Sequence, residues 1–351
     1  MRNINKITPK PLFEISLLVF FMGLLFAPPS FLKAQELSYE NGDKSLVPVP
    51  PFERELQTVE ATHLKQIASS PNVLEGAIFD RDGNLFFTEI GPNRILRLDK
   101  KGELKILAEL GNFMPSGLAF LPDGRLLVCG NMDGVSKGAI YALDKDGGNI
   151  QPILDTGDGF VPNDMAVTSS GGIYFTDFRG NLTDTSGGVY YIHPDLKKID
   201  KILGNMSNAN GIALSPDEKV LWVGDYGRSI LIRIDLEDST HFDRIHSTPV
   251  YYFTGRGPDS MRTDSDGNLY VAIMSQGRVL IFNSRGFPIG QILLPDRDKG
   301  HNLYSASLAI TPDSKDLVIM SMDDLAKSSN IFSSKAFAPG WINKFATRIE
   351  K

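Results

Sequence analysis

The sequence holds one cysteine, Cys129, among 351 residues, so no internal disulfide can form and the fold must hold by packing. Cys129 sits in the apolar run "LLVCG" and reads as a buried filler rather than a nucleophile. Positive charge is scarce. Lys and Arg number 36 against 42 Asp and Glu, a formal charge of −6, which argues against a nucleic-acid partner. Helix signals are almost absent. The apolar run Ile15–Phe26 is too short to cross a bilayer comfortably, which takes about 20 residues. What remains is ordinary globular composition, 42% hydrophobic and 22% charged, which excludes a disordered chain. The length suits one large domain or two small ones.

The N-terminus differs in kind. Arg2, Lys6 and Lys10 precede Ile15–Phe26, and "APPSFLKAQE" follows with a small residue at Ala34. This order predicts a secretory signal over residues 1–34, cleaved after Ala34, with an uncleaved anchor as the alternative. No cysteine follows the run, so a lipoprotein is excluded. The mature protein is expected outside the cytoplasm, secreted or periplasmic. Residues 35–56 are polar and Pro-rich and read as a linker or a surface arm ahead of a domain over 57–351.

That domain repeats itself. Copies begin "EGAIFD" at Glu75, "SGLAFL" at Ser116, "NDMAVT" at Asn163, "NGIALS" at Asn210, "DSMRTD" at Asp259 and "ASLAIT" at Ala306, at intervals of 41, 47, 47, 49 and 47 residues. Each copy has a short apolar strand, a turn such as "DRDGN" or "SPDEK" and a returning strand such as "LFFTE" or "LWVGD", and a third alternating run such as "NRILRLD" closes most copies. Asp, Gly and Pro in those turns supply positive or preset φ for tight hairpins. A weaker fourth strand follows in several copies. A period in the forties built from strands predicts an all-β, six-bladed β-propeller of four-stranded antiparallel blades around a channel. An open β-sandwich pair would not explain the regular spacing.

The innermost strand of each blade lines the channel, so the residue opening each copy should sit at the channel mouth. Those residues are Glu75, Ser116, Asn163, Asn210, Asp259 and Ala306. Asn, Asp or Ser before a strand also serves as an ordinary turn residue, and for Ser116 and Ala306 that reading stands. Glu75 is not a usual turn former, and Glu75, Asn163, Asn210 and Asp259 together form a ring of oxygen donors. Converging carboxylates are costly to bury unpaired, and a cation removes the cost. Oxygen ligands without His or Cys select Ca²⁺, or Mg²⁺ or Mn²⁺, over zinc or copper. Calcium takes 6–8 oxygens, so four protein donors leave room for water or substrate.

In this order and at this spacing, "LEGAIFD", "PNDM", "ANGIALSPDEKVLWV" and "GPDSMRTDSDGNLYVA" resemble the metal-site motifs of the gluconolactonase family, which includes the senescence marker protein and related lactonases. The resemblance runs from about Leu74 to Trp341. It implies a calcium-dependent lactonase, with Glu75, Asn163, Asn210 and Asp259 as ligands, Ser260 adding an oxygen, and Asp259 also transferring protons. It further implies a second, structural calcium at Ser136, Gly138, Asp155, Asp158 and Phe160, where the plainer reading is a Gly/Asp surface loop. A small-molecule lactone would be the substrate. The alternatives are a non-catalytic propeller that binds a ligand around a structural calcium, and another propeller hydrolase of the strictosidine-synthase or paraoxonase type. The latter would show a His dyad, which the sequence lacks.

His301 in "DKGHNLYSAS" precedes the sixth copy and is a candidate substrate contact; a structural histidine bonding a loop backbone is the plainer reading. Arg179, Tyr226 and Arg228 lie in blade loops where an acidic or sugar-like substrate would meet them, although an Arg on a loop is more often simply solvated. Asp164 takes the slot held by Gly76, Gly117, Gly211 and Ser260 in other copies. It either approaches the site behind Asn163 or braces the turn.

Overall fold

The computed structural model describes residues 44–132, 136–312 and 314–341. The expected signal over 1–34 and residues 35–43 of the arm lie outside them. Six innermost strands, Leu74–Phe79, Met114–Phe120, Pro162–Val167, Ala209–Leu214, Pro258–Thr263 and Tyr304–Ile310, each start a separate antiparallel sheet. Each innermost strand packs on the next, and the sixth packs on the first, so the blades close a ring. This is the six-bladed propeller that the repeat predicts.

The turns form for the expected reason. In "DRDGN" the Gly83 N–H donates to the Asp80 carbonyl at 3.1 Å, and Gly83 sits at φ +74°. The Asp80 carboxylate accepts from the Asn84 backbone N–H at 2.8 Å. "SPDEK" lacks the glycine and puts Glu218 at φ +57° instead.

Packing between blades supplies the stability. Each of the six junctions has its own apolar cluster. Phe87 and Leu96 of the first blade meet Met320 and Ile331 of the sixth. Leu127 and Ile140 of the second meet Phe175 and Ile192 of the third. Trp222 of the fourth meets Val271 and Phe282 of the fifth. Each such side chain fully buried contributes about 1.5–3 kcal/mol.

The ring closes in a way the repeat does not reveal. The sixth blade takes only three strands from the last copy, Tyr304–Ile310, Asp316–Asp323 and Ser328–Lys335. Its outer strand is Thr62–Ala68, which precedes the first copy and pairs antiparallel with Ser328–Lys335. Before it, Gln57–Glu60 adds a parallel fifth strand to the outer edge of the fifth blade, beside Pro288–Leu293.

Residues 44–56, expected as part of a surface arm, are bound to that same blade. A short 3₁₀ turn, Pro51–Glu53, buries Glu53 to 1% exposure. Its carboxylate pairs with Arg278, equally buried, and accepts from the Tyr251 hydroxyl. Gln291 Nε2 donates to the Glu53 carbonyl at 3.0 Å, and Arg297 donates to the Val47 carbonyl at 2.6 Å. Burial of Arg297 near Arg278 pushes its pKa down to about 10.

Removing one member of a buried ion pair strands the other charge. Glu53→Ala is therefore expected to cost about 3–5 kcal/mol in denaturant unfolding. A loss under about 1 kcal/mol would mean that the arm is not held by this pair.

Candidate functional site

The six strand starts share a local irregularity that explains how they face the axis. In every innermost strand the pairing with the second strand slips at or just past the first residue of the copy. The slips fall between Glu75 and Ile78, Pro115 and Leu118, Pro162 and Met165, Ala209 and Ile212, Pro258 and Met261, and Ser305 and Ser307. A bulge bends a strand and re-aims a side chain. Repeated six times, it gathers the candidate residues at one mouth of the channel.

The bulges also bring neighbouring blades within backbone contact. A Cβ on Gly117 would meet Asp164 Oδ1 at 2.7 Å, and one on Gly211 would meet the Asp259 carbonyl at 2.1 Å. At these two positions glycine is a packing requirement. Ser307 manages it by turning its hydroxyl to accept from the Ala77 N–H at 3.1 Å.

The ring is buried and acidic. Glu75, Asn210 and Asp259 are 7%, 5% and 4% exposed, and Asn163 is half-buried. Ser260 Oγ donates to Glu75 Oε2 at 3.2 Å, and the Gly76 N–H donates to the same oxygen at 3.3 Å. Burial raises Glu75 well above the usual carboxylate range, and the charges of Asp259 and Asp164 raise it further. Asp259 is also raised, first by burial, with the Asp164 charge adding to it and a hydrogen bond from Asn210 opposing it. Two buried oxygens, Asn210 Oδ1 and Asp259 Oδ1, find no hydrogen-bond partner among the described residues. Orphaned buried acceptors are uncommon, and together with two raised carboxylates they make an oxygen set of the kind a hard cation fits. No group of three His, Cys, Asp or Glu is gathered for a metal among the described residues, so an ion here would need the amide oxygens as well.

Asp164 and Arg262 form the most buried charged feature behind the ring. Asp164 is fully buried and accepts from Arg262 Nη1 at 3.2 Å. Arg262 also donates to the carbonyls of Met261 at 2.7 Å and Ala77 at 3.2 Å. Burial raises Asp164, and the Arg262 guanidinium opposes that rise. Asp164 therefore sits behind Asn163, and it adds what the sequence did not suggest, an ion pair from the third blade to the fifth. Arg262 escaped the sequence reading, although a signal exists. At the third residue after each copy's start stand Ile78, Ala119, Ala166, Ala213, Arg262 and Ala309. One Arg in an apolar column matches one Asp in a Gly/Ser column.

Other candidates fall elsewhere. Arg179 and Arg228 are held by buried acids, with Nε 2.8 Å from Asp177 Oδ2 and from Asp225 Oδ2 respectively. Arg94 does the same with Glu89 at 2.7 Å. These pairs pin the ends of second strands, so the two arginines are brackets. Tyr226 feels the ring: burial, then the Asp259 charge, raise its hydroxyl, and the Arg256 guanidinium opposes the rise. His301 pairs with buried Asp323 at 2.9 Å. Cys129 is buried as expected, and its thiol donates to the Asn163 carbonyl at 2.9 Å. In the expected second site, the Gly138 N–H donates to the Phe160 carbonyl at 2.9 Å, and the Asp155 N–H donates to Asp158 Oδ2 at 2.8 Å. Ser136, Asp155 and Asp158 are exposed, and Phe160 packs on Phe175 and Tyr190.

Comparison with known proteins follows this geometry. Residues 73–322 match the SMP-30/Gluconolactonase/LRE-like region. Lactonase drp35 of Staphylococcus saprophyticus is 43% identical over 311 residues, covering 87% of this chain and 95% of that protein. Lactonase drp35 of Staphylococcus aureus strain MW2 is 44% identical over 309 residues, with the same coverage of 87% and 95%. Among solved structures, a luciferin-regenerating enzyme superposes with a TM-score of 0.65 at 17% identity, covering 79% of this chain and 96% of that one. At that identity the likeness is one of fold.

Arg262→Ala strands the Asp164 carboxylate and is expected to destabilise by about 3 kcal/mol or more in denaturant unfolding. The double variant Asp164→Gly/Arg262→Ala restores the residues found in sibling copies and should recover most of that loss. Additive losses from the two single variants would show that the pair is not coupled.

Proposed function

The chain belongs to the SMP-30/gluconolactonase/LRE-like family, and from that membership and the axial ring we propose that it is a calcium-dependent lactonase. The observation that carries the reading is the pair of orphaned buried oxygens, Asn210 Oδ1 and Asp259 Oδ1, beside the raised carboxylate of Glu75. The lactonases similar to this chain support a cyclic ester as substrate.

Glu75, Asn163, Asn210 and Asp259 would hold the ion, with Ser260 completing the oxygen set. All are hard donors, as Ca²⁺ prefers, with Mg²⁺ or Mn²⁺ as alternatives. When bound, such an ion supplies fixed positive charge against the oxyanion that develops on a lactone carbonyl. The protein does the rest. Ser260 and the Gly76 N–H orient the Glu75 carboxylate. Asp259 takes a proton from water as the water oxygen bonds to the carbonyl carbon. The ring C–O bond then breaks, and Asp259 returns the proton to the leaving alkoxide, giving a hydroxy acid. The Asp164–Arg262 pair closes the channel behind the site, and Tyr226 with Arg256 borders it. A second, structural ion would sit in the loop carrying Ser136, Gly138, Asp155, Asp158 and Phe160. We place the mature protein outside the cytoplasm, secreted or periplasmic, on the strength of the signal pattern in residues 1–34.

A panel of lactones and linear esters, assayed with and without chelator, tests this reading. Chelation should abolish lactone hydrolysis and calcium should restore it. Asp259→Asn should lower kcat by about 10²–10⁴-fold. Calcium at 100 times its Kd should stabilise the native enzyme by about 2.7 kcal/mol in denaturant unfolding. Hydrolysis indifferent to both chelator and Asp259→Asn would overturn the assignment, and calcium binding without hydrolysis would favour a binding propeller.

A further inference from the structure

A cavity of about 1010 Å³ lies away from the axial ring. It is lined by the far halves of the innermost strands and includes no ring residue. Ile78, Leu118, Met165, Ile212 and Ile310, from five different blades, supply apolar wall, and Arg262 comes from the remaining one. The Asp164–Arg262 ion pair thus stands between the ring and this lower mouth. The volume suits a small organic molecule rather than a protein segment.

Its charge is biased. Arg81, Arg97, Lys105, Lys145 and Arg262 line it, against Asp80, Asp82 and Asp146. Asp80 is committed to the backbone N–H and side-chain amide of Asn84, at 2.8 and 2.7 Å. Arg97 is the informative residue. Its guanidinium lies over the Phe86 ring at 5.8 Å, and its buried Nε finds no hydrogen-bond partner among the described residues. Arg97 also stands directly opposite Lys105 across the first blade. Like charges opposed on adjacent strands repel, and a buried N–H without an acceptor is costly. The Glu103 carboxylate, 3.2 Å from Lys105, relieves only the exposed end of this arrangement.

We propose that this lower mouth is a second small-molecule site, which takes an organic anion with an apolar body. The anionic group is received by Arg97 and Lys105, and the apolar body enters the channel toward Arg262. The site is independent of the reaction at the ring.

The test is a fluorescence titration of the full, calcium-loaded protein with 1-anilinonaphthalene-8-sulfonate, beside its uncharged analogue N-phenyl-1-naphthylamine. One saturable site is expected, with the uncharged probe weaker by on the order of 10-fold, the scale of a charge-assisted contact. Arg97→Gln should weaken the anion by a similar factor. Lys145→Glu, at the exposed rim where folding is not at stake, should weaken it several-fold. Asp259→Asn should leave it unchanged, which separates this site from the ring. Absence of saturation, equal affinity for the two probes, or loss of binding in Asp259→Asn with none in Arg97→Gln and Lys145→Glu would overturn the proposal.

Discussion

Between Thr62–Ala68 and Ser328–Lys335, strand pairing joins the two ends of the domain; His63 and Asn330, 267 residues apart, also meet through their side chains at 3.2 Å. Without that strand the sixth blade would end on an open edge, and the first and sixth blades would be held only by side-chain packing such as that of Phe87 and Leu96 on Met320 and Ile331. Every feature on the axis depends on it, because the axis exists only when the ring is shut. The arm reinforces the same region. Glu53 and Arg278 bury a charge pair against the fifth blade, one strand beyond the strand that closes the sixth. Segments with no counterpart in the repeat therefore hold the repeat together.

Closure creates an electrostatic problem. It brings Glu75, Asp259 and Asp164 close enough that the charges of Asp259 and Asp164 raise Glu75 and that of Asp164 raises Asp259, in a place where burial already disfavours charge. Arg262 answers for Asp164 alone. The remaining carboxylates, with two amides beside them, are a site that costs free energy while empty of positive charge. That cost is the physical content of the proposed calcium centre, and it explains why a hydrolase would accept such poor strand formers at these bulges.

The two mouths of the channel are built from the same strands yet differ in chemistry. On one side the bulges expose oxygen donors. On the other, the strands continue as Ile, Leu and Met toward a cationic rim. The ion pair of Asp164 and Arg262 lies between them and spans the channel from the third blade to the fifth. Around the blades, buried acids at the ends of second strands take up nearby arginines, as Glu89, Asp177 and Asp225 do with Arg94, Arg179 and Arg228. This use of arginine fixes Arg179 and Arg228 against the strand ends, while Tyr226 feels the charge of Asp259.

Propeller and blade number were legible in the sequence because each copy repeats a local pattern: two apolar strands joined by a turn of Asp, Gly, Pro or Ser, at a spacing in the forties. Such features depend on neighbours a few residues away. The oddness of Asp164 was visible for the same reason, and Arg262 was equally odd in its own column. Their pairing was not visible, because the distance between them is a property of the closed ring. The same holds for the strand Thr62–Ala68, for Glu53 and for the brackets around Arg179 and Arg228. Their partners lie far away in the chain or depend on how a loop turns. The amino-acid order by itself determined which residues repeat. Tertiary structure decided which of them meet, since burial and charge act through space and not along the chain.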